Sequence, residues 1–391
     1  MDAVFALITG GDATGKNRPG GAPAPTLYDV TREAGVSTAT VSRVIHRLDR
    51  VRPSTRQRVL DVIDALGFIP DGAAQSLARH RKEVIGLVGF KCPGPSTDVE
   101  QDGMLFLDEV MRGVEASLSE IGWSLLISVL PRGGDLADAA ERLQKISAKV
   151  DGLIIAEGSV VSPRQLRLLA GRIPIALVAG RPGEAHADVI HADNRAGTSA
   201  LVRHLVEQHR RTRLFYLSGP LEAPDTQERL AAFAEALAAY PEARQTGSCE
   251  GLFTALSGQL AVREILARPP GARPDAIVCA NDQMAIGAIR ELHTAGLRVP
   301  ADIAVVGFDD IQIGALLNVP LTTARQPMHR LGERACSRLL ARIADPSLPL
   351  QVECLPAPLV VRESCGCPGR VPTTFIPLAA HLRRAGHPIA R

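Results

Sequence analysis

From residue 26 the apolar positions fall into a helical rhythm. Val30 and Ala34 stand four apart behind Thr26, whose hydroxyl suits an N-cap, and Asp29 completes a capping-box start. Gly35 stops this helix, because glycine takes a left-handed turn without steric cost. Ser37 is placed to cap a second helix with Val41, Val44 and Ile45 inside. A third helix is predicted over 54–66, capped by Ser54, striped by Val59, Val62, Ile63 and Leu66, and ended by Gly67. Together they predict a small all-α head over 26–71.

Beyond Glu83 the rhythm changes. Strands are predicted over 84–88, 123–129, 151–156, 175–178, 213–217, 276–279 and 303–307. Helices are predicted over 108–121, 135–149, 196–207, 226–239 and 284–295. Alternating strand and helix means doubly wound parallel sheets, covered on both faces. The stretch 83–365 is too long for one such sheet, so two lobes are expected, with a ligand cleft at the carboxyl ends of the strands. Residues 72–82 form a short Ala-rich hinge or linker, too short to hold a helix alone in water. Residues 1–25 read as a disordered extension and 366–391 as a flexible tail, both rich in Gly and Pro.

Helix, glycine turn, helix is the helix-turn-helix pattern, whose second helix enters the major groove. The outer face of that helix carries Thr38, Ala39, Ser42 and Arg43. Small side chains allow close approach to base edges, and the Arg43 fork can donate two hydrogen bonds to a guanine. An ordinary helical hairpin with a solvated polar face would show the same local pattern.

Several strings occur in a distinctive order: TLYDV at 26–30, EAGVS at 33–37, ATVSRV at 39–44, VRPSTRQRV at 51–59, ALGFIP at 65–70 and SLA at 76–78. They resemble the lactose repressor and galactose repressor family of bacterial transcriptional regulators, and the resemblance extends to about Glu363. It implies a helix-turn-helix head plus an α/β, two-lobed, periplasmic-binding-protein-like effector domain. It also implies a homodimer on a palindromic double-stranded DNA operator. The DNA contacts it implies are Leu27, Tyr28, Ser37, Thr38, Ala39, Thr40, Ser42, Arg43, His46, Thr55, Ala74 and Leu77. Leu77 matches a leucine that wedges into the minor groove and kinks the duplex; as a plain linker leucine it would need no such role.

Polar residues follow several strands, where cleft residues belong. Asn281 and Asp282 follow 276–279, and Asp309 and Asp310 follow 303–307. The resemblance assigns effector contacts to Arg229, Asn281, Asp309 and Gln326, with Phe253 stacking on the ligand. The set suits a sugar: carboxylate and amide serve adjacent hydroxyls, Arg adds a two-pronged donor, and an aromatic face covers C–H groups. Each also has a structural reading: Arg229 and Asp309 as an ion pair, Asn281 as a helix cap and Phe253 as core packing. Ala179-Gly180-Arg181 stands where many family members carry an Asp, and 92–101 is a Pro-rich loop at the cleft edge.

Composition narrows the rest. The 391 residues are 46% hydrophobic and 22% charged with net charge +2, so no global basic field exists. The positive charge is local: 26–82 holds ten Lys/Arg against six Asp/Glu. The seven cysteines, Cys92, Cys249, Cys279, Cys336, Cys354, Cys365 and Cys367, form no disulfide framework and fit a reduced cytoplasm. Cys365-Gly366-Cys367 has no partner pair at zinc spacing, so no metal and no cofactor are expected. His186, His191, His204 and His209 read as solvated surface residues, since His204 and His209, five apart, share an α-helical face poorly. No apolar run approaches a membrane span.

Two rival classes are weighed. A solute-binding protein for transport would need a secretory signal and no DNA head. A nucleotide-dependent enzyme would use the GGDATGK string at 10–16 as a phosphate loop. That string is followed by Asn17 rather than Ser or Thr and then by a Pro/Gly run, so the magnesium ligand and anchoring helix are missing. No catalytic constellation is found. The reading is a DNA-binding regulator, a repressor of a carbohydrate-utilisation operon, under control of a small sugar or sugar-derived effector.

Overall fold

The computed structural model describes residues 25–45, 51–68, 81–91, 105–131, 136–156, 161–181 and 186–368. Expectations for the 1–24 segment, His46, Ala74, Leu77 and the 92–101 loop lie outside these residues. The chain divides into two compact units, Met1–Lys82 and Glu83–Arg391. No helix among the described residues is long and apolar enough to cross a membrane.

In the first unit three helices form: α1 (Leu27–Ala34), α2 (Thr38–Ile45) and α3 (Pro53–Leu66). Thr26 and Asp29 make the reciprocal capping bonds, and Gly35 takes the left-handed turn at φ 63°. The Ser37 hydroxyl accepts from the Thr40 amide at 3.3 Å. The start of α3 corrects the sequence reading. It begins at Pro53 behind Arg52, with no side-chain cap, because the fixed φ and missing N–H of proline suit a first helical residue. Val30, Ala34, Val41, Val44, Val59 and Phe68 close the core.

The second unit contains two six-stranded sheets. The first comprises β1 (Val84–Lys91), β2 (Ser124–Pro131), β3 (Gly152–Ala156), β4 (Ile175–Val178), β5 (Asp188–Ala192) and β11 (Val352–Leu355). Its order is β11-β5-β4-β3-β1-β2, and every pairing is parallel. The second comprises β6 (Arg213–Ser218), β7 (Arg244–Glu250), β8 (Ala276–Cys279), β9 (Ala304–Asp309), β10 (Thr322–Arg325) and β12 (Leu359–Val360). Its order is β12-β10-β9-β8-β6-β7, parallel except for β12 against β10.

The helices that cover these sheets are α4 (Leu105–Ser119), α5 (Leu136–Ser147), α6 (Pro163–Ala170), α7 (Asn194–Arg203), α8 (Pro224–Ala238), α9 (Ala255–Leu266), α10 (Asp282–Thr294), α11 (Gln312–Ala315) and α12 (Met328–Ala344). The chain crosses from the first lobe to the second after β5, returns after β10 through α12, and crosses again between β11 and β12. Each sheet therefore receives an edge strand, β11 or β12, only after the chain has visited the other lobe.

The same packing device recurs in both lobes. Gly113 on α4 and Gly332 on α12 each face a backbone carbonyl of the opposite helix, His329 and Val110 respectively. Gly258 on α9 and Gly287 on α10 do the same against Met284 and Ala255. A Cβ at any of the four would overlap the carbonyl, so these helix pairs approach closer than side chains allow.

Candidate DNA-reading surface and effector cleft

Packing sorts the residues of α2. Val41 and Val44 are buried, while Thr38, Ala39 and Arg43 are exposed and Thr40 and Ser42 half-buried. Of the outward set read from the sequence, Thr38, Ala39 and Arg43 are exposed and Ser42 only partly so, on a helix held by a glycine turn. Tyr28 is 74% exposed, whereas Leu27 packs partly against the core of the head. Ser37 is exposed and bonded to the Thr40 hydroxyl at 3.0 Å, and Thr55 is half-buried at the start of α3. Arg43 is the long cation on this face, so Arg43→Ala is expected to cost about 1–3 kcal/mol and to relax preference at one base pair. Mobility shifts on a palindrome series measure this; unchanged affinity and preference would remove Arg43 from base reading.

In the second unit the strand ends and the helices that follow them enclose a cleft of about 640 Å³, including its open mouth. Its lining includes Arg229, Phe253, Asn281, Asp309 and Gln326, all five of the residues assigned from the sequence. It also includes Ala179, noted from the sequence as replacing an Asp, and Phe106, Asp225, Gln283 and Ile311, which sequence reasoning did not name.

Arg229 organises the floor. Only 3% exposed, it donates from Nε to Asn194 Oδ1 at 2.8 Å, from Nη1 to the Ala280 carbonyl at 2.6 Å and from Nη2 to Gln326 Oε1 at 2.9 Å. Asp225 lies 3.4 Å away and Asp309 3.9 Å, and the guanidinium sits 3.7 Å above the Phe308 ring. Asn194, the first residue of α7, in turn donates to Asp225 and Glu228 at 3.0 and 2.8 Å. The arginine is therefore an interlock between the lobe crossover, α8 and the end of β10, as well as a cleft residue. Burial pushes the Asp309 carboxyl well above the usual carboxylate range, and the Arg229 charge opposes that rise.

Asn281 serves as the cap considered from the sequence. Its Oδ1 accepts from the Met284 amide at 3.0 Å and its amide donates to the Phe253 carbonyl at 3.1 Å. Phe253 has φ 61°, and its ring lies where a side chain at residue 219 would be, so Gly219 makes its place. Ala179 and Asp309 also take positive φ, at 56° and 132°. Strained backbone in three lining residues is the pattern of a site whose shape is over-determined by its surroundings.

Two further groups stand out. Asp282 is wholly buried, accepting from the Thr323 hydroxyl at 2.6 Å and the Ile311 amide at 2.9 Å, and burial raises its carboxyl to about 6. It fixes the start of α10 to β10, beside the cleft. Gln283 is 6% exposed, and among the described residues its side-chain nitrogen has no hydrogen-bond partner. A buried amide donor without a partner carries a desolvation cost that a cleft ligand would offset. Its only sequence signal was its place two residues after Asn281.

A helix-turn-helix unit joined to a two-lobed α/β binding fold defines a DNA-binding transcriptional regulator. The model of bacterial regulatory proteins of the lacI family matches residues 26–71, and the periplasmic binding protein-like domain matches 202–365. The chain is 32% identical to the HTH-type transcriptional repressor PurR of Vibrio cholerae serotype O1 (strain M66-2), over 82% of this chain and 92% of the relative. It is also 32% identical to the ribose operon repressor of Escherichia coli (strain K12), over 83% and 95%. Among solved structures it is similar to the lac repressor dimer bound to operator and the anti-inducer ONPF, with TM-score 0.75, 28% identity and coverage of 88% and 99%. The transcriptional regulator CelR–cellobiose complex matches with TM-score 0.62 and 30% identity over 87% and 99%. The chain belongs to the lacI family of bacterial regulatory proteins. It is a DNA-binding transcriptional repressor and not an enzyme.

Proposed function

We propose that this repressor binds a palindromic operator as a homodimer and that a small sugar or sugar-derived effector, held in the cleft, releases it. The observation that carries the effector reading is the unpartnered Gln283 donor among the Arg229–Asp309–Gln326 groups, beside the Phe253 ring. Carboxyl, guanidinium and amide groups at that spacing serve neighbouring hydroxyls, and the ring covers the C–H face of a pyranose or furanose. Self-association is supported by Leu256 and Leu260, 50% and 52% exposed one turn apart on α9, with Leu252 at 45% just before it. Control needs only a few kcal/mol of differential affinity between lobe arrangements.

A purine base is the second reading. Relatives named PurR support it, as do two phenylalanines, Phe106 and Phe253, that line one cleft and suit a flat ring. Thermal melting against a panel of sugars, sugar phosphates and purine bases separates the two, because a bound ligand raises the melting temperature by mass action. A sugar is expected to give the shift; a shift with purines alone would replace the sugar by a base. Gln283→Leu is expected to leave the melting temperature of the free protein within a few degrees while weakening the effector about threefold to tenfold, the worth of one neutral hydrogen bond. Unchanged effector affinity in Gln283→Leu would remove that residue from the site.

A further inference from the structure

The four residues His204, His209, Cys365 and Cys367 meet at one place on the second lobe, although the sequence reading left the histidines in solvent and the cysteines without partners. Their ligating atoms all lie within 4.8 Å of one another. His204 Nε2 is 3.3 Å from His209 Nε2, 3.3 Å from Cys365 Sγ and 3.6 Å from Cys367 Sγ, and Cys367 Sγ is 3.3 Å from His209 Nε2. From these distances and the chemistry of the donors, we propose that they form a structural Zn²⁺ site of the two-histidine, two-cysteine type.

The distances carry the argument. With Zn–N bonds of about 2.05 Å and Zn–S bonds of about 2.3 Å, a regular tetrahedron has an N–N edge of about 3.3 Å and N–S edges of about 3.6 Å. The one N–N separation matches, three of the four N–S separations fall within a few tenths of an ångström, and the remaining pairs lie within 4.8 Å. Two thiolates and two imidazoles select a soft-to-borderline metal over Mg²⁺ or Ca²⁺. Four protein ligands leave no open position, which is the arrangement of a structural site.

Local backbone explains why the four converge. Residues five apart on an α-helix are separated by about 140° around the axis. The helix that begins as α7 widens into a π-helical turn over His204–Gln208, and that turn brings His204 and His209 to one side. Their rings sit edge to face with centroids 4.9 Å apart. On the other strand of the site, Gly366 takes φ 119°, and a Cβ there would lie 2.9 Å from the His209 ring. Glycine between the cysteines thus turns both sulfurs toward the histidines and leaves room for the ring.

A hydroxyl donor already faces one of the two sulfurs. Cys365 is fully buried, and the Thr322 hydroxyl donates to its sulfur at 3.1 Å. That hydroxyl already accepts the Arg362 amide at 2.8 Å, so its hydrogen is free for the sulfur. In the metal-free thiol the Cys365 S–H donates to the Arg362 carbonyl at 3.3 Å, a bond that metal binding replaces. Binding releases two thiol protons and adds one dication to two thiolates, leaving the cluster neutral. The metal would clasp the chain just after β12, the end of the third lobe crossover, to the end of the helix that forms the first.

Untagged full-length protein purified under reducing conditions tests this. About one zinc per chain is expected by elemental mass spectrometry, released to a chromogenic chelator by an organic mercurial, as thiolate ligation requires. Co²⁺ added to metal-free wild-type protein should give the thiolate charge-transfer band and the visible bands of tetrahedral cobalt. His209→Asn and Cys367→Ser should each weaken metal affinity at least tenfold and lower the melting temperature to that of chelated wild type. Wild-type protein that carries no zinc, gives no cobalt–thiolate band and melts alike with and without Zn²⁺ would overturn the site, as would a Cys365–Cys367 disulfide found in that protein. The cobalt titration of wild type decides even where a variant fails to fold.

Discussion

Arg229→Ala is expected to destabilise the two-lobed unit by about 3–5 kcal/mol and to abolish its response to effector. The guanidinium satisfies Asn194, the Ala280 carbonyl and Gln326 and faces Asp225 and Asp309. Its loss leaves those buried acceptors without a donor and two carboxylates without the charge that offsets their burial, and an uncompensated buried charge is the costly part. Stacking on Phe308 goes with it. Urea unfolding reads the stability loss, and effector-dependent melting reads the binding loss. Arg229→Lys keeps the charge but not the fork, so it should recover part of the stability and little of the binding. An alanine variant as stable as wild type, still shifted by the same ligand, would contradict both roles.

Gly287→Ala is the second large effect. The added methyl would occupy the position of the Ala255 carbonyl, so α9 and α10 must part. Overpacking of this kind costs about 1–3 kcal/mol, and more where the obstacle is backbone. Because Asn281 and Gln283 sit at the start of α10, the displacement should reach the cleft and weaken the effector as well. A surface Gly→Ala control with negative φ, such as Gly171→Ala at the end of α6, should be neutral or slightly stabilising by comparison. Equal stability of Gly287→Ala and wild type would mean that the close helix approach is not required.

The head was legible almost residue by residue, because each device there is local: a capping box, a glycine turn and apolar positions at helical spacing. The exception was the start of α3, where Pro53 substitutes for the cap expected at Ser54. The strands read from the body were those marked by apolar runs, the partly exposed β2 included; the buried β5 (DVIHA) and β10 (TTAR) carry no such run and went unread. β7 went unread because RQTGSCE is an edge strand with exposed polar residues and no apolar run. The cleft lining was read from polar residues following strands and from resemblance. Gln283 and Asn194 were missed because their roles depend on which strand and helix ends meet, and that is settled by lobe crossovers far apart in sequence. The His204–His209 pair was misjudged for a different reason: five-residue spacing was measured on an α-helix, and the chain adopts a π-turn there.

Operator affinity with and without effector tests the central claim most directly. Fluorescence anisotropy on a palindrome selected from random DNA by the protein itself gives the number. A sugar that raises the melting temperature is expected to weaken operator binding at least about tenfold, a coupling of about 1.4 kcal/mol, in wild type and not in Asp309→Asn. Operator affinity unchanged at saturating sugar, or changed equally in Asp309→Asn, would contradict control of DNA binding from this cleft.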